Sequence, residues 1–200
     1  EHLESLGAEL VYFSPLNDKK LPDDIHGLII GGGYPELWAE DLEKNYSLRA
    51  DIKRHIENGL PAYAECGGLM YLSESITCKN GKSFGMCSLI PGKCFMTQSL
   101  KRFGYVYVKN LEDTVLGQKG SEIKAHEFHY SEIHTVDGIS GCLEISKRDG
   151  GNGDIIKSRW NCGYKVKNLL AQYAHLHFWS NPRYAENFVK KCMEHYEAMK

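Results

Sequence analysis

The stretch Leu60-Pro61-Ala62-Tyr63-Ala64-Glu65-Cys66-Gly67-Gly68-Leu69-Met70-Tyr71-Leu72 constrains the fold more than any other. An apolar run ends in Glu65-Cys66, two glycines follow, and apolar residues then recur at helical spacing. The pattern reads as strand, sharp turn and helix, with a cysteine at the bend. Such a bend holds a nucleophile on strained backbone and is better known with serine, as Gly-x-Ser-x-Gly. Its flanks must be small, and Ala64, Gly67 and Gly68 are. The helix that follows aims its partially positive N-terminus at the sulfur, which favours thiolate over thiol. The amide of Gly67 is a candidate donor to an oxyanion. A structural cysteine buried in a tight turn would leave the same local pattern, because cysteine is common in cores. The rest of the chain has to separate the two.

Upstream, residues 25–30 read as a strand that leads into Gly31-Gly32-Gly33-Tyr34-Pro35-Glu36-Leu37. Three glycines after a buried strand let backbone amides face a cleft without obstruction. The loop lacks the Gly-x-Gly-x-x-Gly spacing of a dinucleotide site, and no Gly-Lys-Ser/Thr follows as in a phosphate loop. A plain flexible turn would also use these glycines. In a parallel sheet, however, loops at the carboxyl ends of neighbouring strands converge on one crevice. Gly32, Gly33 and Tyr34 are therefore candidates for an oxyanion or substrate loop beside Cys66 and Gly67. Residues 47–58 form an amphipathic helix, with Leu48, Ile52 and Ile56 on one stripe and Gly59 as its stop. Residues 1–6 read as the tail of a helix stopped by Gly7, and residues 8–13 as a strand. A doubly wound α/β domain normally opens on a strand. The 200 residues are therefore expected to form one domain, 1–200, of a longer polypeptide; roughly 100–200 residues suit a single domain.

After Leu72 the pattern changes to short runs at 84–90, 103–108, 123–130 and 142–146, which read as mixed or antiparallel sheet. Residues 149–154, with three glycines, read as a turn. A final helix spans 182–199, with Asn181 as its cap, Pro182 in its first turn, and Ala185, Phe188, Val189, Cys192, Met193 and Tyr196 as its buried stripe. Before it runs Tyr173-Ala174-His175-Leu176-His177-Phe178. On extended backbone His175 and His177 share a face, and His175 is the candidate base for Cys66. His126-Glu127-Phe128-His129 is not His-Glu-x-x-His. On a strand its two histidines point to opposite faces, so it is not read as a metal site.

The totals exclude several classes. Lys and Arg number 24 against 26 Asp and Glu, a net charge of −2. That balance gives no electrostatic reason for a nucleic-acid or anionic-membrane partner. No run approaches the ~18 apolar residues of a membrane span, and no basic-then-apolar signal segment opens the chain. Seven cysteines, an odd number with no Cys-x-x-Cys pair, argue against a zinc ribbon and a secreted disulfide framework. A reduced, cytoplasmic setting is the simpler expectation.

Gly31-Gly32-Gly33-Tyr34-Pro35-Glu36, Ala64-Glu65-Cys66-Gly67-Gly68-Leu69-Met70-Tyr71-Leu72, Arg102-Phe103-Gly104-Tyr105, His126-Glu127-Phe128-His129-Tyr130-Ser131 and Tyr173-Ala174-His175-Leu176-His177-Phe178 together resemble the glutamine amidotransferase domain of cobyrinic acid a,c-diamide synthases. The resemblance implies a class I-type glutaminase fold, a flavodoxin-like three-layer α/β sandwich with a mixed central sheet. It implies Cys66 as nucleophile, His175 as the activating histidine, and glutamine as substrate. Ordinary class I glutaminases carry His-x-Glu, whose carboxylate orients the imidazole. Here that place holds His177, so the third member of the triad is missing or replaced; His177, Glu127 and His129 are the supporting candidates. The resemblance also implies an N-terminal synthetase domain in the same polypeptide that uses ATP and Mg²⁺, a corrin precursor at the domain interface as ammonia acceptor, and no cofactor or metal in this domain. Another Cys-His hydrolase on the same elbow, a binding module with an inert Cys66, and an amidotransferase for a different metallo-tetrapyrrole remain open on the sequence.

Overall fold

The computed structural model describes residues 1–136, 139, 141–149 and 155–200. The chain begins with a single helical turn, α1 (His2–Ser5), closed by Gly7 at φ +91°. The first strand, β1 (Leu28–Ile30), is the last half of the apolar run expected at 25–30. After the glycine loop and a 3-10 turn at Pro35–Leu37 come α2 (Ala39–Lys44) and α3 (Tyr46–Glu57). The expected stripe holds α3 down: Leu48, Ile52 and Ile56 are fully buried. Truncating any one of them to alanine would cost about 2–5 kcal/mol.

The elbow follows as β2 (Ala62–Glu65) and the short α4 (Gly67–Leu72). Beyond it lie β3 (Ser73–Thr77), β4 (Ser83–Gly85), β5 (Ile90–Met96), β6 (Arg102–Asn110), β7 (Glu122–His129), β8 (Ser131–Thr135), β9 (Leu143–Arg148) and β10 (Ile156–Cys162). β11 (Tyr164–Val166), β12 (Leu169–Gln172), β13 (His175–Leu176) and α5 (Arg183–Ala198) complete the chain.

Three sheets result, ordered β1-β2-β12-β11, β10-β9-β6-β7-β13 and β4-β3-β5-β8. In the first, β1, β2 and β12 are parallel and β11 is antiparallel at the edge. β2 is central, and Ala62, Tyr63 and Ala64 are all buried, as a parallel strand covered on both faces requires. The second sheet is antiparallel, and the third pairs β3 with β5 in parallel. The mixed character expected after Leu72 is therefore present. In β6 and β7 the alternation sends Val106, Val108, Ile123 and Ala125 into the core and leaves Phe103 and Tyr105 exposed.

Four expectations are corrected. Residues 8–13 form no strand. Leu10, Val11 and Tyr12 are exposed and make no ladder with β1, so the apolar run lacks the neighbour that would turn it into sheet. The run at 84–90 is broken by Ser88, whose φ of +52° cannot continue a ladder, so β5 starts only at Ile90. Asn181 does not cap α5 with its side chain; its Nδ2 donates to the Glu122 carbonyl instead. In α5 the stripe is buried only near its start, at Tyr184, Ala185 and Phe188, while Met193 and Tyr196 stand exposed because the last turns run past the core. The turn expected at 149–154 falls, from residue 150 on, outside the described residues.

Candidate active site

β2 delivers Cys66 to the carboxyl end of the parallel sheet. Cys66 sits at φ +49°, ψ −106°, a left-handed backbone that non-glycine residues rarely adopt. The bend is held from both sides: the Cys66 amide donates to the Gln172 carbonyl at 2.8 Å, and the Met70 amide donates to the Cys66 carbonyl at 3.1 Å. The small flanks have measurable reasons. A Cβ on Gly68 would lie 2.3 Å from the Ile30 carbonyl oxygen, and one on Gly67 would lie 2.8 Å and 2.9 Å from the backbone O and N of Gly33. The glycine loop after β1 and the start of α4 are thus in backbone contact, and no side chain fits between them. The Gly67 amide opens α4 and is among the donors that a helix cannot satisfy internally.

Sequence reasoning expected the β1 loop, the elbow and His175 in one crevice, and they meet there. A cavity of about 150 Å³ is lined by Gly33, Tyr34, Cys66, Met70, Tyr130 and His175, among others. Gly32 packs flat against the catalytic candidate: a Cβ there would lie 2.5 Å from His175 Cε1. Cys66 is buried, and its Sγ lies 3.9 Å from the Phe128 carbonyl.

His175 comes from β13, where it pairs with His126 of β7. Its Nδ1 lies 3.2 Å from Glu65 Oε1. The Cys66 thiol, and then Glu65, raise His175 to about 10 against the opposing effect of burial, so the ring holds a proton at neutral pH. The other oxygen of Glu65 accepts from the Leu176 amide at 3.2 Å and from the Tyr63 hydroxyl at 2.9 Å. Gln172 Nε2 in turn donates to Tyr63 at 3.1 Å.

The three supporting candidates are placed differently from one another. His177 is exposed on extended backbone just before a 3-10 turn, and the residues lining the cavity do not include it. His129 lines the cavity as a wall. Its ring stacks on Tyr173 at 4.0 Å, its Nδ1 donates to the Ser131 carbonyl, and burial lowers it to about 4, so it is neutral. Glu127 is 1% exposed, and among the described residues neither carboxylate oxygen has a well-formed hydrogen bond. Burial pushes it up to about 7, only partly offset by Arg102, the Trp160 indole and His175. His126 faces Phe103 and Tyr105 rather than His129, as opposite strand faces require. Among the described residues no three His, Cys, Asp or Glu side chains gather as a metal would need.

Glu65 was in plain view in the motif, yet no local signal assigned it. Its approach to His175, 110 residues away, is set by the parallel register of Glu65 with Gln172. The usable hint is that a charged residue ends an otherwise apolar, doubly covered strand.

A cysteine on a strand-to-helix bend, a histidine against it and this order of parallel strands define a class I glutamine amidotransferase fold. Solved structures agree on the fold. A glutamine amidotransferase matches with a TM-score of 0.61 and 15% identity over 96% of this chain and 90% of its own. PurLQS from Thermotoga maritima matches with a TM-score of 0.57 and 17% identity over 90% and 82%. Residues 1–183 match the model of the CobB/CobQ-like glutamine amidotransferase domain, and the chain belongs to that family. Similar relatives include the cobyrinate a,c-diamide synthases of Caldanaerobacter subterraneus subsp. tengcongensis, 42% identical, and of Picrophilus torridus, 44% identical, each over 96% of this chain. The chain spans 41% and 39% of those two proteins, so they are much longer than it is. Among the described residues no helix is long and apolar enough to cross a membrane.

Proposed function

We propose that this domain hydrolyses glutamine with Cys66 and His175, and that the ammonia amidates cobyrinate carboxylates within a polypeptide of the relatives' length. The meeting of the bent Cys66 thiol with the His175 ring in one cavity carries the first part. The names and lengths of relatives above 40% identity support the second. ATP and Mg²⁺ are assigned to the part of that polypeptide beyond this domain, and no residue here is given a role in holding them. The setting assigned to it is the cytoplasm.

The Cys66 sulfur attacks the side-chain carboxamide carbon of glutamine, and the thiol proton resides on His175. The carbonyl oxygen becomes an oxyanion, received by the Gly67 amide and the backbone of the loop at Gly33. His175 passes its proton to the nitrogen, the C–N bond breaks, and ammonia leaves a thioester. Water, losing a proton to His175, attacks the thioester; glutamate departs and the thiol is restored.

The test uses the full-length polypeptide. Cys66→Ser and His175→Ala should each lower glutamine hydrolysis by about 10²-fold or more and leave amidation by free ammonium intact. His177→Ala should hydrolyse glutamine at the parent rate. A Cys66→Ser protein as fast as the parent would show that the nucleophile lies elsewhere.

A further inference from the structure

We propose that Glu65, the residue directly before the nucleophile, is the positioning residue of His175, standing in for the carboxylate that a His-x-Glu motif would place at His177. The inference rests on the glutaminase reading of Cys66 and His175.

Three contacts carry it. Glu65 Oε1 meets Nδ1 of the ring at 3.2 Å, which leaves Nε2 as the nitrogen available to the thiol. Glu65 Oε2 is fixed by two donors, the Leu176 amide and the Tyr63 hydroxyl. The carboxylate therefore grips both the ring of His175 and the backbone of the next residue, so that ring orientation and strand position are set together. The anchor is itself anchored, since Tyr63 is held by Gln172 across the β2–β12 pair. Strand alternation explains the layout. Tyr63 and Glu65 share one face of β2, and the bend that follows brings Cys66 into the cavity that His175 also lines. One strand end thus places the nucleophile and the group that orients its base.

The other titratable groups around the ring do not fill this role. From β7, His126 sits on the cross-strand neighbour, Glu127 makes no hydrogen bond to it, and His129 is committed to Tyr173 and Ser131. Glu36 lines the cavity from the β1 loop without a bond to the ring. From the elbow come Cys66, the reacting partner, and Glu65.

Glu65→Gln keeps the shape and removes the charge. Glu65→Asp keeps the charge and draws it back by one methylene. In the full-length polypeptide, Glu65→Gln should lower kcat for glutamine by about 10²–10⁴-fold, the scale seen when a triad carboxylate is made neutral, with KM within about threefold. The Glu65 carboxylate stabilises the His175 imidazolium, so its loss should move the alkaline limb of the kcat/KM profile to lower pH, toward the ordinary imidazole value of about 6.5. Glu65→Asp should fall between parent and Glu65→Gln on both readouts. The titration of the His175 ring itself, followed by NMR, should show the same downward move without any turnover. That separates the two readings: a parent whose His175 ring titrates well above the ordinary imidazole value but hydrolyses no glutamine refutes the glutaminase assignment and leaves Glu65 standing. An unchanged kcat in Glu65→Gln, or a loss of kcat with both pH profiles unmoved, overturns the role of Glu65.

Discussion

Replacing Gly68 by alanine tests how tightly the elbow is built. The added Cβ would sit 2.3 Å from the Ile30 carbonyl oxygen and 3.0 Å from both Ile30 C and Cγ2. Ordinary contact begins near 3.5 Å, so about 1 Å must be found. The oxygen belongs to the backbone of β1, which is locked to β2 through Ile30–Ala64 pairing. The start of α4 therefore has to move, and Cys66 moves with it. Alanine gains about 1 kcal/mol over glycine in a helix, but overpacking typically costs about 1–3 kcal/mol, so stability should fall by up to about 2 kcal/mol. Activity should suffer more, since a misplacement near 1 Å in an active site can cost about 10²-fold. The assay is kcat for glutamine hydrolysis, beside chemical denaturation. Gly31→Ala is the control, because its Cβ meets nothing within 4 Å; it should stay within about threefold of the parent. A Gly68→Ala enzyme with parent kcat would refute the claim that α4 is held against β1 by backbone contact.

Gly32→Ala should also lower kcat, by about tenfold or more, because its Cβ would press on His175 Cε1 at 2.5 Å and turn the ring away from Cys66; a pre-steady-state measurement of thioester formation would show the loss in that step. Glu127 gives a stability test. Its carboxyl goes from 4.5 to about 7 on folding, so the native state keeps a proton that the unfolded chain has lost. Stability should then fall as pH rises from about 4.5 through 7, by up to about 3 kcal/mol, and level off above. Glu127→Gln should match the parent at pH 5 and exceed it by about 2–3 kcal/mol at pH 8.5 in urea denaturation; parallel profiles would contradict the unpaired, buried carboxyl.

The parts legible in the sequence were those written in local patterns. Small residues around Cys66 announced the bend because only small residues clear Ile30 and Gly33. The α3 stripe announced its own burial. The convergence of the glycine loop and the elbow followed from parallel-sheet topology, and His175 stood out as one of two histidines at the end of an extended run. What escaped depended on partners distant in the chain. Residues 8–13 carry strand-like composition, but a strand needs a ladder, and none forms there. The last turns of α5 keep an apolar period at Met193 and Tyr196, yet the core ends before them. The contact of Glu65 with the His175 ring escaped for the same reason. Spacing along the chain favoured the residue two positions from His175, whereas the β2–β12 register brought in one 110 positions away.

The most direct measurement is labelling of the full-length polypeptide with the glutamine-analogue electrophile 6-diazo-5-oxo-norleucine, followed by peptide mass mapping. The expected result is one modified residue, Cys66, protected by excess glutamine, with the other six cysteines untouched. Labelling at another residue, or labelling of Cys66 that glutamine does not block, would contradict a glutamine-specific thiol at the elbow.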